Sequence, residues 1–124
     1  MAIRPLFRVY VAGSYNADNV VDSLNNMRRG MRAGTELMTS GFAPFVPWFD
    51  YHFQLMLKDN EKLTKEDYYR YSISWLKVSD ALVVLPNSEN SVGTNLEIDF
   101  AKKHDIPIFH SVDEFKQWFA MESF

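Results

Sequence analysis

Asp80-Ala-Leu-Val-Val-Leu-Pro-Asn-Ser-Glu-Asn-Ser-Val-Gly-Thr-Asn-Leu-Glu-Ile-Asp-Phe-Ala101 is the stretch whose reading decides the fold. Ala81 to Leu85 is an unbroken apolar run, too short for a helix and closed by Pro86, which predicts a strand buried on both faces. Asn87 to Ser91 then form a polar loop, and Gly93-Thr94 lead into a helix with Leu96, Ile98, Phe100 and Ala101 around Glu97. Strand, loop and helix start in that order put Ser91 to Glu97 at the carboxyl end of a sheet, where open α/β proteins bind ligands.

The rest of the chain supports one domain over residues 1–124. With 47% hydrophobic and 15% aromatic residues it can bury a core without staples. Without cysteine it has no disulfide and no thiolate chemistry. A net charge of −3 without a basic block argues against polymeric nucleic acid and favours a small ligand. No segment nears the roughly 18 consecutive apolar residues of a membrane helix, so no membrane partner is expected. Met1 to Arg8 lacks the apolar core and cleavage site of a signal peptide, and a cytoplasmic protein is the expectation.

Working outward, Leu6 to Ala12 reads as a first strand and Gly13 to Asn19 as a loop, with Asp18 as helix N-cap. Val20, Val21, Leu24, Met27, Met31 and Met38 carry a helix to about Ser40, stopped by Gly41. Gly30 and Gly34 weaken that helix and suggest close packing on the sheet. Phe42 to Val46 is a second strand. The aromatic cluster Trp48 to Phe53 follows, then a short helix at Gln54 to Leu57. A helix from Thr64 to about Val78 carries Tyr68, Tyr71, Trp75 and Val78 on one stripe, and after the helix at Gly93–His104, Ile106 to Phe109 is the last strand. Asp113 to Phe119 closes the chain as an amphipathic helix. This alternation predicts an α/β three-layer sandwich, Rossmann/flavodoxin-like, with a mostly parallel sheet of four to five strands.

Three places carry candidate chemistry, each beside a plainer role. Glu97 either closes a capping box with Thr94 or offers a nucleophilic carboxylate to a sugar carbon with oxocarbenium character. Gly13-Ser14-Tyr15 is either an ordinary strand-to-helix turn or a ligand loop at a helix N-terminus; no dinucleotide or phosphate-loop glycine motif is present. Trp48 to Phe53 either packs the core or holds a base, with Asp50 or His52 supplying a proton. His52, His104 and His110 lack metal-ligand spacing, so neither metal nor cofactor is expected.

Together, Val9 to Tyr15, Ser79 to Leu85 and Ser91 to Glu97 resemble the nucleoside 2-deoxyribosyltransferase-like superfamily, which includes 2′-deoxynucleoside 5′-phosphate N-hydrolases and small uncharacterised domains. The resemblance implies cleavage or transfer at the N-glycosidic bond of a nucleoside or its 5′-monophosphate through a covalent glycosyl-glutamate at Glu97. The alternative is a non-catalytic nucleotide-binding or sensing domain on the same fold. It implies substrate binding by Gly13, Ser14, Tyr15, Trp48, Asp50, Gly93 and Thr94, and by Ser91, a serine in the nucleotide hydrolases that helps hold a 5′-phosphate. Ser72 occupies the position of an aspartate that handles the leaving base's proton; Asp67 and Asp50 are the substitutes. Asp105-Ile106-Pro107-Ile108 stands where the uncharacterised domains carry Gly-Ile-Pro-Ile. A homodimer or higher homo-oligomer is also implied, with Ser111 reaching a neighbour's pocket or capping the last helix, and Trp118, Phe119 and Phe124 suited to an interface.

Overall fold

A computed structural model describes residues 3–122; Phe124 lies outside the described residues. Four strands, β1 (Arg8–Ala12), β2 (Ala43–Phe45), β3 (Ala81–Val84) and β4 (Ile108–Phe109), form one all-parallel sheet in the order β2-β1-β3-β4. Five α-helices accompany them: α1 (Val20–Thr39), α2 (Tyr51–Met56), α3 (Lys65–Leu76), α4 (Val92–Lys103) and α5 (Val112–Met121). A 3₁₀ turn at Pro47–Asp50 precedes α2.

Strand alternation sorts the core into two layers. Val9, Val11, Ala81, Val83 and Phe109 face Ala33 and Leu37 of α1 and Phe115 of α5. Tyr10, Ala12, Leu82 and Val84 face Leu76 of α3 and Ala101 of α4. Parallel strands buried on both faces need helices on both sides, and the three-layer α/β sandwich follows. The chain winds from β1 outward to β2, then crosses back to β3 and β4. The reversal opens a crevice above the carboxyl ends of β1 and β3.

The two glycines of α1 make room for the segment that follows β2, beyond the sheet itself. A Cβ on Gly30 would lie 2.3 Å from the Trp48 ring, and one on Gly34 would lie 2.4 Å from a Val46 methyl. Both positions let the helix approach the segment after β2. Gly41 takes φ +94°, a left-handed stop that glycine adopts without strain.

Several boundaries move. Asn19, not Asp18, caps α1, its Oδ1 accepting from the Asp22 amide at 2.9 Å. The short helix begins at Tyr51 instead of Gln54, because the 3₁₀ turn runs directly into it. The last strand is only Ile108–Phe109. On α3 the buried positions are Ser72 and Leu76, while Trp75 and Val78 are exposed; the stripe lies one position off the one read from aromatic spacing. Its tyrosines obscured the pattern, since a phenol fits a half-wet surface. Trp118 and Phe119 are partly buried against the α1/α5 side of the core, with Phe119 4.8 Å from Phe42 and Trp118 5.0 Å from Phe109 between ring centroids. No helix among the described residues is long and apolar enough to cross a membrane.

Candidate functional site

A cavity of about 470 Å³ opens at the crevice between the β1–α1 loop, the Asp50–Gln54 segment, α3 and the first turns of α4. Glu97 lines it. The cap of α4 is Ser91, whose Oγ accepts from the Thr94 amide at 3.2 Å. With the helix starting at Val92, Glu97 falls too far along to close a capping box, which corrects the Thr94–Glu97 reading. Its carboxylate instead accepts a hydrogen bond from the Tyr10 hydroxyl.

Tyr10, the partner that holds Glu97, has no place in the sequence reading of the site. It stands in β1 on the face that α4 covers and is fully buried. The available signal was a tyrosine inside an apolar strand, because a buried phenol needs a partner. Burial pushes Glu97 up to about 7; the Tyr10 hydrogen bond holds it down and the Asp50 charge adds to the rise. The Tyr10 phenol is itself raised, chiefly by burial and then by the Glu97 charge, with the Ser72 hydroxyl opposing. Ser72, Tyr10 and the partly buried Glu97 thus form one polar group where α3, β1 and α4 meet.

Asp50, also in the lining, is raised to about 6 by burial. It has no hydrogen-bond donor or cation against its side chain among the described residues. His52 is exposed, with Nδ1 3.0 Å from the Phe49 carbonyl, and lies outside the lining. Asp67 is spent on the capping box of α3, accepting from the Thr64 amide at 2.7 Å, which lowers its carboxyl. Of the acids proposed to serve the leaving base, the cavity holds Asp50 alone.

The Gly13-Ser14-Tyr15 loop forms another wall and is pinned from three sides. Its Ser14 amide donates to Ser88 Oγ at 3.2 Å and its Ser14 Oγ donates to the Asn87 carbonyl at 3.2 Å. From below, Trp48 Nε1 donates to the Ser14 carbonyl at 3.1 Å. Trp48 is buried and lies outside the lining, so it supports the loop from beneath. The aromatic walls are Tyr15, Tyr51 from the Trp48 to Phe53 cluster, and Tyr68 and Tyr69, two α3 residues that the sequence does not mark as site residues. Tyr69 packs over Gly93, where a Cβ would lie 3.3 Å from its ring.

Ser91, Gly93 and Thr94 all border the cavity at the α4 N-terminus. Thr94 is 1% exposed, and its Oγ1 is buried without a hydrogen-bond partner among the described residues. Ser111 lies outside the cavity and caps α5, accepting from the Glu114 amide at 2.9 Å. Among the described residues no group of three or more His, Cys, Asp or Glu could hold a metal ion.

No curated protein matches the chain. A family model described as a domain of unknown function (DUF7768) matches residues 7–111, from the residue before β1 to the N-cap of α5, and the chain belongs to that family.

Proposed function

We propose that the protein cleaves or transfers at the N-glycosidic bond of a nucleoside or its 5′-monophosphate, with Glu97 as nucleophile and Asp50 as acid and base. The observation that carries this reading is the Glu97 carboxylate, turned into a ligand-sized cavity and held by Tyr10 instead of by its own helix backbone. A second raised carboxylate in the same lining supplies the pair that glycosidic chemistry uses.

A Glu97 oxygen bonds to C1′ as the C1′–N bond breaks, and the leaving nitrogen takes its proton from Asp50. Water, or the nitrogen of a second base, then attacks C1′. That nucleophile's proton goes to Asp50, and the Glu97 carboxylate leaves. The Tyr10 hydrogen bond opposes the burial that keeps Glu97 protonated, and the first step draws on the fraction that is ionised. A 5′-phosphate would sit at the α4 N-terminus. There the Ser91 hydroxyl still has its proton to donate, and Thr94 Oγ1 lacks a partner.

The active form carries one proton on the pair, so turnover of neutral substrates peaks between about 6 and 7 and falls on either side. The test is chromatography for free base after incubation with a panel of nucleosides and 5′-monophosphates. Glu97→Ala should abolish release, and Asp50→Asn should slow it by about 10²–10⁴. Equal release by wild type and Glu97→Ala removes Glu97 from the mechanism. Ligand binding with no release at long incubation leaves a nucleotide-binding domain.

A further inference from the structure

The aromatic walls and the unpaired carboxylate of the cavity bear on which bases it takes. Tyr15 comes from the β1–α1 loop, Tyr51 from α2, and Tyr68 and Tyr69 from α3, so four phenol rings from three separate elements border one space. Tyr68 is fixed by donating to Gln54 Oε1 at 2.8 Å, and Tyr69 by its contact with Gly93. Asp50 lies among them with no partner of its own, and its charge acts on both Tyr15 and Tyr68. The lining contains one cation, Lys65, an exposed residue in the first turn of α3. Aromatic rings gathered around an unpaired carboxylate favour a positively charged guest. A neutral base would leave Asp50 uncompensated in a partly desolvated place.

Resting on the glycosidic reading above, we propose that the preferred substrate is a nucleoside or nucleotide whose base is a cationic heteroaromatic ring, a pyridinium or an N-alkylated purine, held by Tyr15, Tyr51, Tyr68, Tyr69 and Asp50. With such a base the first step balances without an acid. A Glu97 oxygen bonds to C1′, the C1′–N bond breaks, and its electron pair neutralises the ring nitrogen. Asp50 stays ionised against the cation, and takes a proton only when water adds to C1′ and displaces Glu97.

The test uses matched pairs on the full chain: nicotinamide riboside against its uncharged dihydro form, and 7-methylguanosine against guanosine. Binding is followed by calorimetry and base release by chromatography. The charged member of each pair should bind about tenfold or more tightly, and release from nicotinamide riboside, whose charge is permanent, should persist above pH 7, where turnover of neutral substrates falls. Asp50→Asn should remove most of that preference. Tyr51→Leu, at an exposed position, should weaken it in a protein that still melts cooperatively. Equal or tighter binding of the neutral members overturns the proposal, even if they are cleaved and the glycosidic reading stands. Charge preference without release from any substrate keeps the cation site and removes the glycosidic reading.

Discussion

Glu97 is held against its own ionisation. Burial lifts its carboxyl from 4.5 to about 7, so the folded protein binds this proton more tightly than the unfolded chain does. The stability this group leaves intact below its unfolded value is lost as pH rises through about 7. Glu97→Gln keeps an acceptor for Tyr10 and discards the buried charge. It should raise stability by about 1–3 kcal/mol at pH 8 and have little effect near pH 4, read from urea melts at both. An equal effect at the two pH values would mean that the gain is packing and not charge. Asp105 is a second residue under strain, at φ +56° in the turn after α4. Asp105→Gly should relieve the left-handed strain and raise stability by about 0.5 kcal/mol, the added chain entropy of glycine taking back part of the gain; thermal melting checks the sign.

At the scale of elements, α1 sets the position of the site without lining the cavity. Its glycines admit Trp48 and Val46, and Trp48 holds the Ser14 carbonyl that shapes one cavity wall. Ala for Gly gains roughly 1 kcal/mol of helix propensity. At position 30 the new methyl would meet the indole at 2.3 Å, and overpacking of that kind costs about 1–3 kcal/mol. The clash wins, so Gly30→Ala should lower the melting temperature and weaken ligand binding through the displaced Ser14 loop. On α4, the buried Thr94 hydroxyl has no partner. Thr94→Val should be neutral or stabilise the free protein by about 1 kcal/mol, and should weaken a phosphate-bearing ligand more than its nucleoside. Unfolding curves and titrations of the two ligands decide both halves.

For the whole molecule, the sheet order places the most buried strands at the centre and short strands at the edges. β1 and β3 pair over four residues and are almost entirely buried, while β2 has three residues and β4 two. Amide exchange should therefore be slowest in Val9–Ala12 and Ala81–Val84, opening only with global unfolding, and faster in both edges. Slow exchange at β4 with a fast centre would contradict this arrangement. The same order puts the switch point, and so the cavity, beside the most buried strands. Tyr10 and Glu97 inherit their fixed geometry from that placement.

Local patterns in the chain were enough for the layered architecture. The apolar run Ala81–Leu85 belongs in a doubly covered strand, Gly41 stops a helix, and Gly30 and Gly34 lie where a close approach is needed. These depend on neighbours in sequence, on periodicity and on backbone sterics, so residue order alone determined them. That order also placed Glu97 and the Gly13–Tyr15 loop at one sheet edge. Which groups meet there was decided by packing across elements far apart in the chain. Tyr10 finds Glu97 87 residues away, and the Trp48 ring faces the Gly30 backbone while its indole N–H reaches Ser14. Tyr51, Tyr68 and Tyr69 border the cavity because α2 and α3 fold over it. A side chain's partner depends on helix rotation and strand order, and only the tertiary structure fixes either.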